Sequence, residues 1–385
     1  MFSFEDEEIS PEILDSLHLD LFVVTDHTMY KNYGEELDSY TETIIDYVGR
    51  LFRDANLKVD IEINLVGKLH FKSVKDERKH LIPFPENMND AHYLLGAFCT
   101  WQGSYLRKKY DYKAAILMTR RDITGGNDLN TLGVANKMGA CSDNMACAII
   151  EDKGFSTAFT ITHEIGHLLN LPHDDDRDNC KGPTQRRIMS SLLDASVDIF
   201  SWSKCSASHV RKFVKSSKSK CLRKKARSYN TTHTGNMKLV LPGEYYNEEK
   251  QCSFYNKSYS SYYTTSCRQL VCRSPTGSLA KLHFPKADGT PCGYIEGLMC
   301  YRGRCTDFRD PIKPLNGGWG RYKKVGTCSI PCGGGIQYAV RKCNNPIPTH
   351  GGRYCSGRRV KFWTCNRQEV TEGGVKISFF SSNDF

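Results

Sequence analysis

At 385 residues the chain is too long for one compact core and implies two or three domains. Its longest apolar stretches, such as Leu21 to Val24, are far too short to cross a bilayer, which excludes a transmembrane helical anchor. Seventeen cysteines, densest toward the C-terminus, point to disulfides and an oxidising compartment, which argues against nucleic acid as a partner; the net charge of +10 reads either as an ordinary solvated surface or as adhesion to acidic polysaccharide or phospholipid surfaces.

In chain order, residues 1–16 form an acidic tail that is no signal peptide, so a secreted chain implies that any signal and pro-segment were removed or lie outside this sequence. Residues 17–227 read as an α/β domain. Leu19 to Thr25 is an apolar strand, Glu35 to Phe52 has helical spacing, and Val59, Ile61, Ile63 and Leu65 alternate on one face of a strand from Leu57 to Val66. Asp90 to Leu106 reads as a helix, Ala114 to Met118 as a buried strand, and Thr157 to Leu169 and Ser206 to Val214 as helices. A polar stretch at 228–240 suggests a linker. From Leu241 periodicity fades and cysteines recur every few residues, so disulfides replace a large core over 241–310. A further boundary falls near Pro311-Ile312-Lys313-Pro314, followed by a module at 314–368 and a divergent tail at 369–385. Asn230-Thr231-Thr232 and Asn256-Lys257-Ser258 have the form of N-glycosylation acceptors.

Chemistry concentrates in His163-Glu164-Ile165-Gly166-His167-Leu168-Leu169-Asn170-Leu171-Pro172-His173-Asp174. On a helix, His163 and His167 project from one face and can share one Zn²⁺ ion, while Glu164 stands where a general base must be to deprotonate an attacking water. Asn170 tolerates the left-handed backbone that turns the chain back to a third ligand, His173. Three protein ligands leave a fourth zinc position open, as in catalytic sites. Met189, in Arg187-Ile188-Met189-Ser190-Ser191, follows at a distance suited to a turn beneath the metal.

With these residues the chain resembles the metzincin endopeptidases, and within them the ADAMTS family. Leu241-Pro242-Gly243-Glu244 through Cys305 is similar to that family's disintegrin-like domain, and Gly317-Gly318-Trp319-Gly320 with Cys328-Ser329-Ile330-Pro331-Cys332 is similar to a thrombospondin type 1 repeat. The resemblance implies a multidomain fold. A metzincin α/β domain, with a mixed twisted sheet plus helices, precedes a small disintegrin-like domain and one thrombospondin repeat. It implies a secreted zinc endopeptidase that cleaves extracellular matrix or other secreted proteins, with ancillary domains that anchor it. Sulfated glycosaminoglycans are expected partners of the repeat and of the Arg211–Arg227 segment, which holds nine Lys or Arg. The rival reading is a binding protein with vestigial proteolysis; the intact His ligands, Glu164 and Met189 count against it.

Carried over from the family, the disulfides would be Cys99–Cys147, Cys141–Cys221, Cys180–Cys205, Cys252–Cys272, Cys267–Cys300, Cys292–Cys305, Cys328–Cys365 and Cys343–Cys355, with Cys332 unpaired. Thr124 and Leu129 stand where a further family bridge would be. The resemblance also implies a Ca²⁺ site at Asp122 and Glu151, although the bridge that shapes it is lost. At a second calcium site Asp20 is joined by Lys113 and Lys224; two ammonium groups repel a divalent cation, so Asp20 is expected to pair with one of them. In the repeat, the usual three tryptophans reduce to Trp319, with Tyr322 and Val325 at the other two positions, and this predicts a less rigid module.

Overall fold

The computed structural model describes residues 17–80, 88–126, 128, 130–180, 186–192, 197–225, 241–309 and 313–367, and the backbone of 371–372 and 375–376. The acidic tail, the 228–240 linker, Asn230, Arg227 and Leu129 fall outside them. The chain divides into two units, Ser16–Lys313 and one containing Pro314–Phe385.

The first unit begins with β1 (Leu17–Thr25), α1 (His27–Tyr33) and α2 (Leu37–Phe52), then β2 (Ile61–His70), α3 (Val74–Lys79) and α4 (Ala91–Trp101). There follow β3 (Ala114–Thr119), β4 (Gly133–Ala135), β5 (Cys147–Glu151), α5 (Thr157–Leu168) and α6 (Lys204–Lys215). The strands form one sheet in the order β2-β1-β3-β5-β4. All pairings are parallel except the last, where β4 runs antiparallel to β5 at the edge. Both faces of such a sheet must be covered, and the sequence supplies near-continuous apolar runs to match. Phe22, Val24, Ala115, Leu117 and Ile149 pack one face against Leu94, Leu95 and Phe98 of α4. The helices α2 and α5 pack against each other, with α2 also against β2 and α5 against β4 and β5.

Element boundaries differ from the sequence reading where local backbone chemistry intervenes. The strand expected from Leu57 starts at Ile61, because Ala55–Leu57 is a helical turn capped by Asp54 and closed by Lys58 at φ 58°. The Asp90–Leu106 helix is α-helical only to Trp101 and continues as a π-helical turn over Gln102–Leu106. The elements α1, α3, β4 and β5 have no counterpart in the sequence reading.

Past the first domain come α7 (Pro242–Tyr245), α8 (Glu248–Tyr255), a three-stranded sheet β6 (Ser260–Ser261), β7 (Val271–Arg273) and β8 (Leu279–Lys281), and the hairpin β9 (Leu298–Tyr301) with β10 (Arg304–Asp307). Its small cores are built around cystines: Cys252 and Cys272 with Leu270 and Leu282, and Cys267, Cys292 and Cys300 with Leu298. This segment docks on the first domain within the same unit. Phe254 and Tyr246 pack on Phe155, with Phe254 also against Tyr33 and Tyr40. At the tip of the β9–β10 hairpin, Arg302 at φ 49° donates to Asp54 Oδ2 and the Phe200 carbonyl. The Tyr301-Arg302-Gly303-Arg304 stretch is therefore an anchoring hairpin rather than a free loop.

The second unit carries the three-stranded antiparallel sheet β11 (Lys323–Val325), β12 (Gly335–Val340) and β13 (Val360–Cys365). Its stacking is fuller than the sequence reading allowed. The Arg341 guanidinium lies 4.6 Å from the ring centroids of both Trp319 and Tyr322, and Lys361, on β13, lies 4.6 Å from that of Tyr322. Trp363, also on β13, extends the ladder by receiving Lys324 at 5.8 Å.

Candidate active site

The helix α5 carries the first two histidines and ends in a Schellman motif. The Leu171 N–H reaches the Gly166 carbonyl at 2.9 Å, and the Asn170 N–H reaches that of His167 at 2.9 Å. Asn170 occupies the left-handed position, φ 67°, which an amide side chain tolerates better than most. That reversal brings His173 back over the helix.

The three imidazoles converge. His173 Nε2 lies 3.2 Å from His163 Nε2 and 3.1 Å from His167 Nε2. Nδ1 of His163 donates to the Ile188 carbonyl at 2.8 Å and that of His167 to Leu171 at 2.9 Å. A carbonyl can only accept, so both Nδ1 atoms carry the proton and both neutral Nε2 atoms present lone pairs to the centre. Burial, then mutual repulsion among the rings, holds His163 down to about 3 and His167 to about 4, so both stay neutral. Converging lone pairs at this spacing repel unless a cation joins them, and Zn–N bonds of ~2.0–2.1 Å in a tetrahedron place nitrogens ~3.3 Å apart. The donor set fits zinc.

Glu164 completes the arrangement. It is 5 % exposed, its Oε2 has no hydrogen-bond partner, and burial alone pushes it up to about 8. An orphaned buried carboxyl beside three converging imidazoles is a strained polar group with chemistry still to perform. Gly133 on β4 faces it: a Cβ there would stand 2.9 Å from Glu164 Cγ and 2.9 Å from Thr160 Cγ2. Beneath the site Met189 is fully buried, and a Cβ on Gly166 would meet its sulfur at 2.4 Å. Asp174 ties the ligand loop to that turn. Its N–H donates to the Met189 carbonyl at 2.8 Å and its Oδ2 accepts from the Arg187 N–H at 2.9 Å.

This geometry has counterparts among known proteins. The family described as Reprolysin (M12B) family zinc metalloprotease matches residues 18–226, followed by ADAMTS cysteine-rich domain 2 over 242–306 and a thrombospondin type 1 domain over 320–369. The chain belongs to the ADAMTS family of reprolysin zinc metalloproteases. The segment read as disintegrin-like is thus the one matched by the ADAMTS cysteine-rich domain. Similar ADAMTS proteins include the human "A disintegrin and metalloproteinase with thrombospondin motifs 1", 33 % identical over 93 % of this chain and 37 % of that protein. The mouse protein with the same name ending in 15 is 34 % identical over 94 % and 38 %, and the Caenorhabditis elegans gon-1 protein 33 % over 91 % and 17 %. The chain therefore spans well under half the length of these ADAMTS relatives.

The remaining sequence-derived residues fall as follows. Sulfur–sulfur bonds join Cys99–Cys147, Cys141–Cys221, Cys180–Cys205, Cys252–Cys272, Cys267–Cys300, Cys292–Cys305, Cys328–Cys365 and Cys343–Cys355, and Cys332 is a half-buried free thiol. Glu151 is buried and paired with the Lys153 ammonium, and its Oε2 accepts from the Ile123 N–H at 3.3 Å, whereas Asp122 is exposed. Asp20 is buried and accepts from Asn64 Nδ2 at 2.9 Å. Its carbonyl accepts from the Lys113 N–H, while the Lys113 ammonium faces Asp111 at 3.7 Å. Sequence reasoning missed Gly133 and the two carbonyls that set the histidine tautomers. A three-residue edge strand has no periodicity to read, and a carbonyl has no sequence signature.

Proposed function

We propose that this chain is a zinc-dependent endopeptidase that cleaves extracellular matrix or other secreted proteins. The observation that carries the reading is the convergence of three imidazole nitrogens beside the unpartnered Glu164 carboxyl. His163, His167 and His173 would hold the ion, which when bound polarises the scissile carbonyl and acidifies water. Glu164 takes the proton of the attacking water on its carboxylate, the charge of the held cation offsetting the burial that raises it, and passes it to the leaving amine nitrogen. Its buried site keeps other water from competing for that proton, and Asp174 and Met189 hold the ligand loop in register. Secretion is supported by the eight disulfides and by the absence, among the described residues, of a helix long and apolar enough to cross a membrane. Exposed Lys212, Lys215, Lys218 and Lys220 on and after α6, with the lysines and arginines of the repeat, suit sulfated glycosaminoglycans. Calcium has less support, because at Glu151 the Lys153 ammonium already supplies the positive charge.

The test is cleavage of a denatured generic protein by the purified chain, abolished by a chelator and restored by zinc. Glu164→Gln should retain one zinc per chain and lose at least ~100-fold in rate. A zinc-loaded Glu164→Gln variant that still cleaves at a comparable rate overturns the assignment.

A further inference from the structure

The sequence motif at Asn256 is not used by the proteolytic site, yet its surroundings are chemically specific. Asn256 caps the C-terminus of α8 in extended backbone, φ −151° and ψ 125°, and Asn256, Lys257 and Ser258 are all exposed. Its Oδ1 accepts two hydrogen bonds from the same residue: the Ser258 hydroxyl at 2.7 Å and the Ser258 N–H at 3.1 Å. The Tyr259 N–H closes the turn onto the Asn256 carbonyl at 2.9 Å. On either side the backbone is held. Arg120 grips the carbonyls of Phe254 and Tyr255, and Lys257 Nζ donates to the Lys31 carbonyl at 3.0 Å.

We propose that Asn256 is an N-glycosylation site, carrying an oligosaccharide on Nδ2 at the rim of the seam between the first domain and the cysteine-rich domain. An amide nitrogen is a poor nucleophile because its lone pair is delocalised into the carbonyl. Two donors on Oδ1 draw charge onto the oxygen and make the Nδ2 protons more acidic, and only a hydroxyl two residues on can add the second donor. The co-reactant is a lipid-linked oligosaccharide pyrophosphate of the secretory pathway. The Nδ2–C1 bond forms, the C1–O bond to the pyrophosphate breaks with its electron pair, and one Nδ2 proton leaves to the transferase. The extended, exposed turn lets the product persist after folding: the sugar leaves into solvent and displaces no packed side chain. A bulky hydrated chain there also removes the Lys31–Lys257 rim from the surfaces on which a protein substrate can lie flat.

The inference rests on passage through the secretory pathway, so the test is built to separate the two. The full chain, with a secretion signal, is expressed in eukaryotic cells, and both the medium and a detergent extract are treated with an amidase that converts glycosylated Asn to heavy-oxygen-labelled Asp. Peptide mapping should find the label at position 256 in most molecules. Ser258→Ala should remove it while casein cleavage stays unchanged, and Ser258→Thr should preserve it. Label at Asn230 alone shows a chain that entered the pathway and left Asn256 bare, which overturns the proposal. So does a label at 256 that survives Ser258→Ala, or its absence from both positions. None of these results bears on whether the zinc site cleaves peptides, which the chelator experiment decides.

Discussion

The Arg120 guanidinium meets the Asp152 carboxylate at 2.9 Å exactly where two domains and the start of α5 come together, a pairing best understood through what each partner also holds. Asp152 accepts the hydroxyls of Tyr33 and Tyr40 at 2.5 Å and that of Thr157, the first residue of α5, at 2.9 Å. Arg120 donates onward to the carbonyls of Phe254 and Tyr255 at 2.8 and 2.9 Å, so a cation stands at the C-terminal end of α8. Through these two residues the cysteine-rich domain braces the N-terminus of the helix that presents His163 and His167.

Removing the cation should therefore loosen both domains at once. Arg120→Ala leaves the fully buried Asp152 carboxylate with hydroxyl donors only and strips two carbonyls of their partner. We expect a loss of roughly 2–4 kcal/mol of stability, read from the urea midpoint of the Ser16–Lys313 unit. A midpoint unchanged from the parent chain would show that the hydroxyls alone satisfy Asp152.

At the site itself, Gly133→Ala tests the closeness of β4 to the base. The added methyl would stand 3.0 Å from Glu164 Oε1 and 2.9 Å from its Cγ, tighter than real contacts allow. Glu164 or the edge strand must shift, and displacement of a general base by about 1 Å costs ~100-fold in rate. The expected outcome is a variant that binds zinc and melts like the parent but cleaves casein ~100-fold more slowly. Parental activity would show that β4 yields without moving Glu164.

Asn170 separates backbone conformation from side-chain chemistry. At φ 67° any Cβ crowds the following carbonyl, and alanine lacks the polar side chain by which asparagine offsets that crowding, so Asn170→Ala should cost about 1 kcal/mol of thermal stability. Asn170→Gly should stay within about 0.5 kcal/mol, since glycine adopts this region freely. Equal losses in both variants would mean that the amide, rather than the turn, matters.

The ligand loop was legible because its chemistry is local: residue types four apart on a helix, then a residue that tolerates the reversal. The strands Leu17–Thr25 and Ala114–Thr119 were legible for a related reason, since buried parallel strands are continuous apolar runs. β5, Cys147–Glu151, carries the same signal in Ala146 to Ile150 and could have been found by it. β4 could not, because Gly133-Val134-Ala135 becomes a strand only by pairing with β5. Arg120 and Asp152 were equally silent, because they meet across 32 residues and their other partners Tyr33, Tyr40, Phe254 and Tyr255 lie more than a hundred positions away. Trp363 was not legible because the ladder positions Trp319, Tyr322 and Val325 lie before or on β11, while the ring that extends the ladder arrives from β13.

Asp288 makes stability depend on pH in the direction opposite to most carboxylates. It lies in the cysteine-rich domain, 3 % exposed, and its Oδ1 accepts from the Arg302 N–H at 2.7 Å. Burial pushes it up to about 6, against the pull of that hydrogen bond and of the Arg50 and Arg302 charges. The unfolded chain releases this proton near the ordinary value of 3.8, so between there and about 6 the folded chain holds the extra proton. Stability from this group is complete below about 3.8 and declines as pH rises through that window, by roughly 3 kcal/mol in all. Asp288→Asn keeps an acceptor for the Arg302 N–H and cannot ionise. At pH 7.5 the variant should be more stable than the parent, by up to roughly 3 kcal/mol, and the two urea midpoints should converge toward pH 4. A variant less stable at pH 7.5 would mean that attraction to Arg50 and Arg302 outweighs the cost of burying the charge.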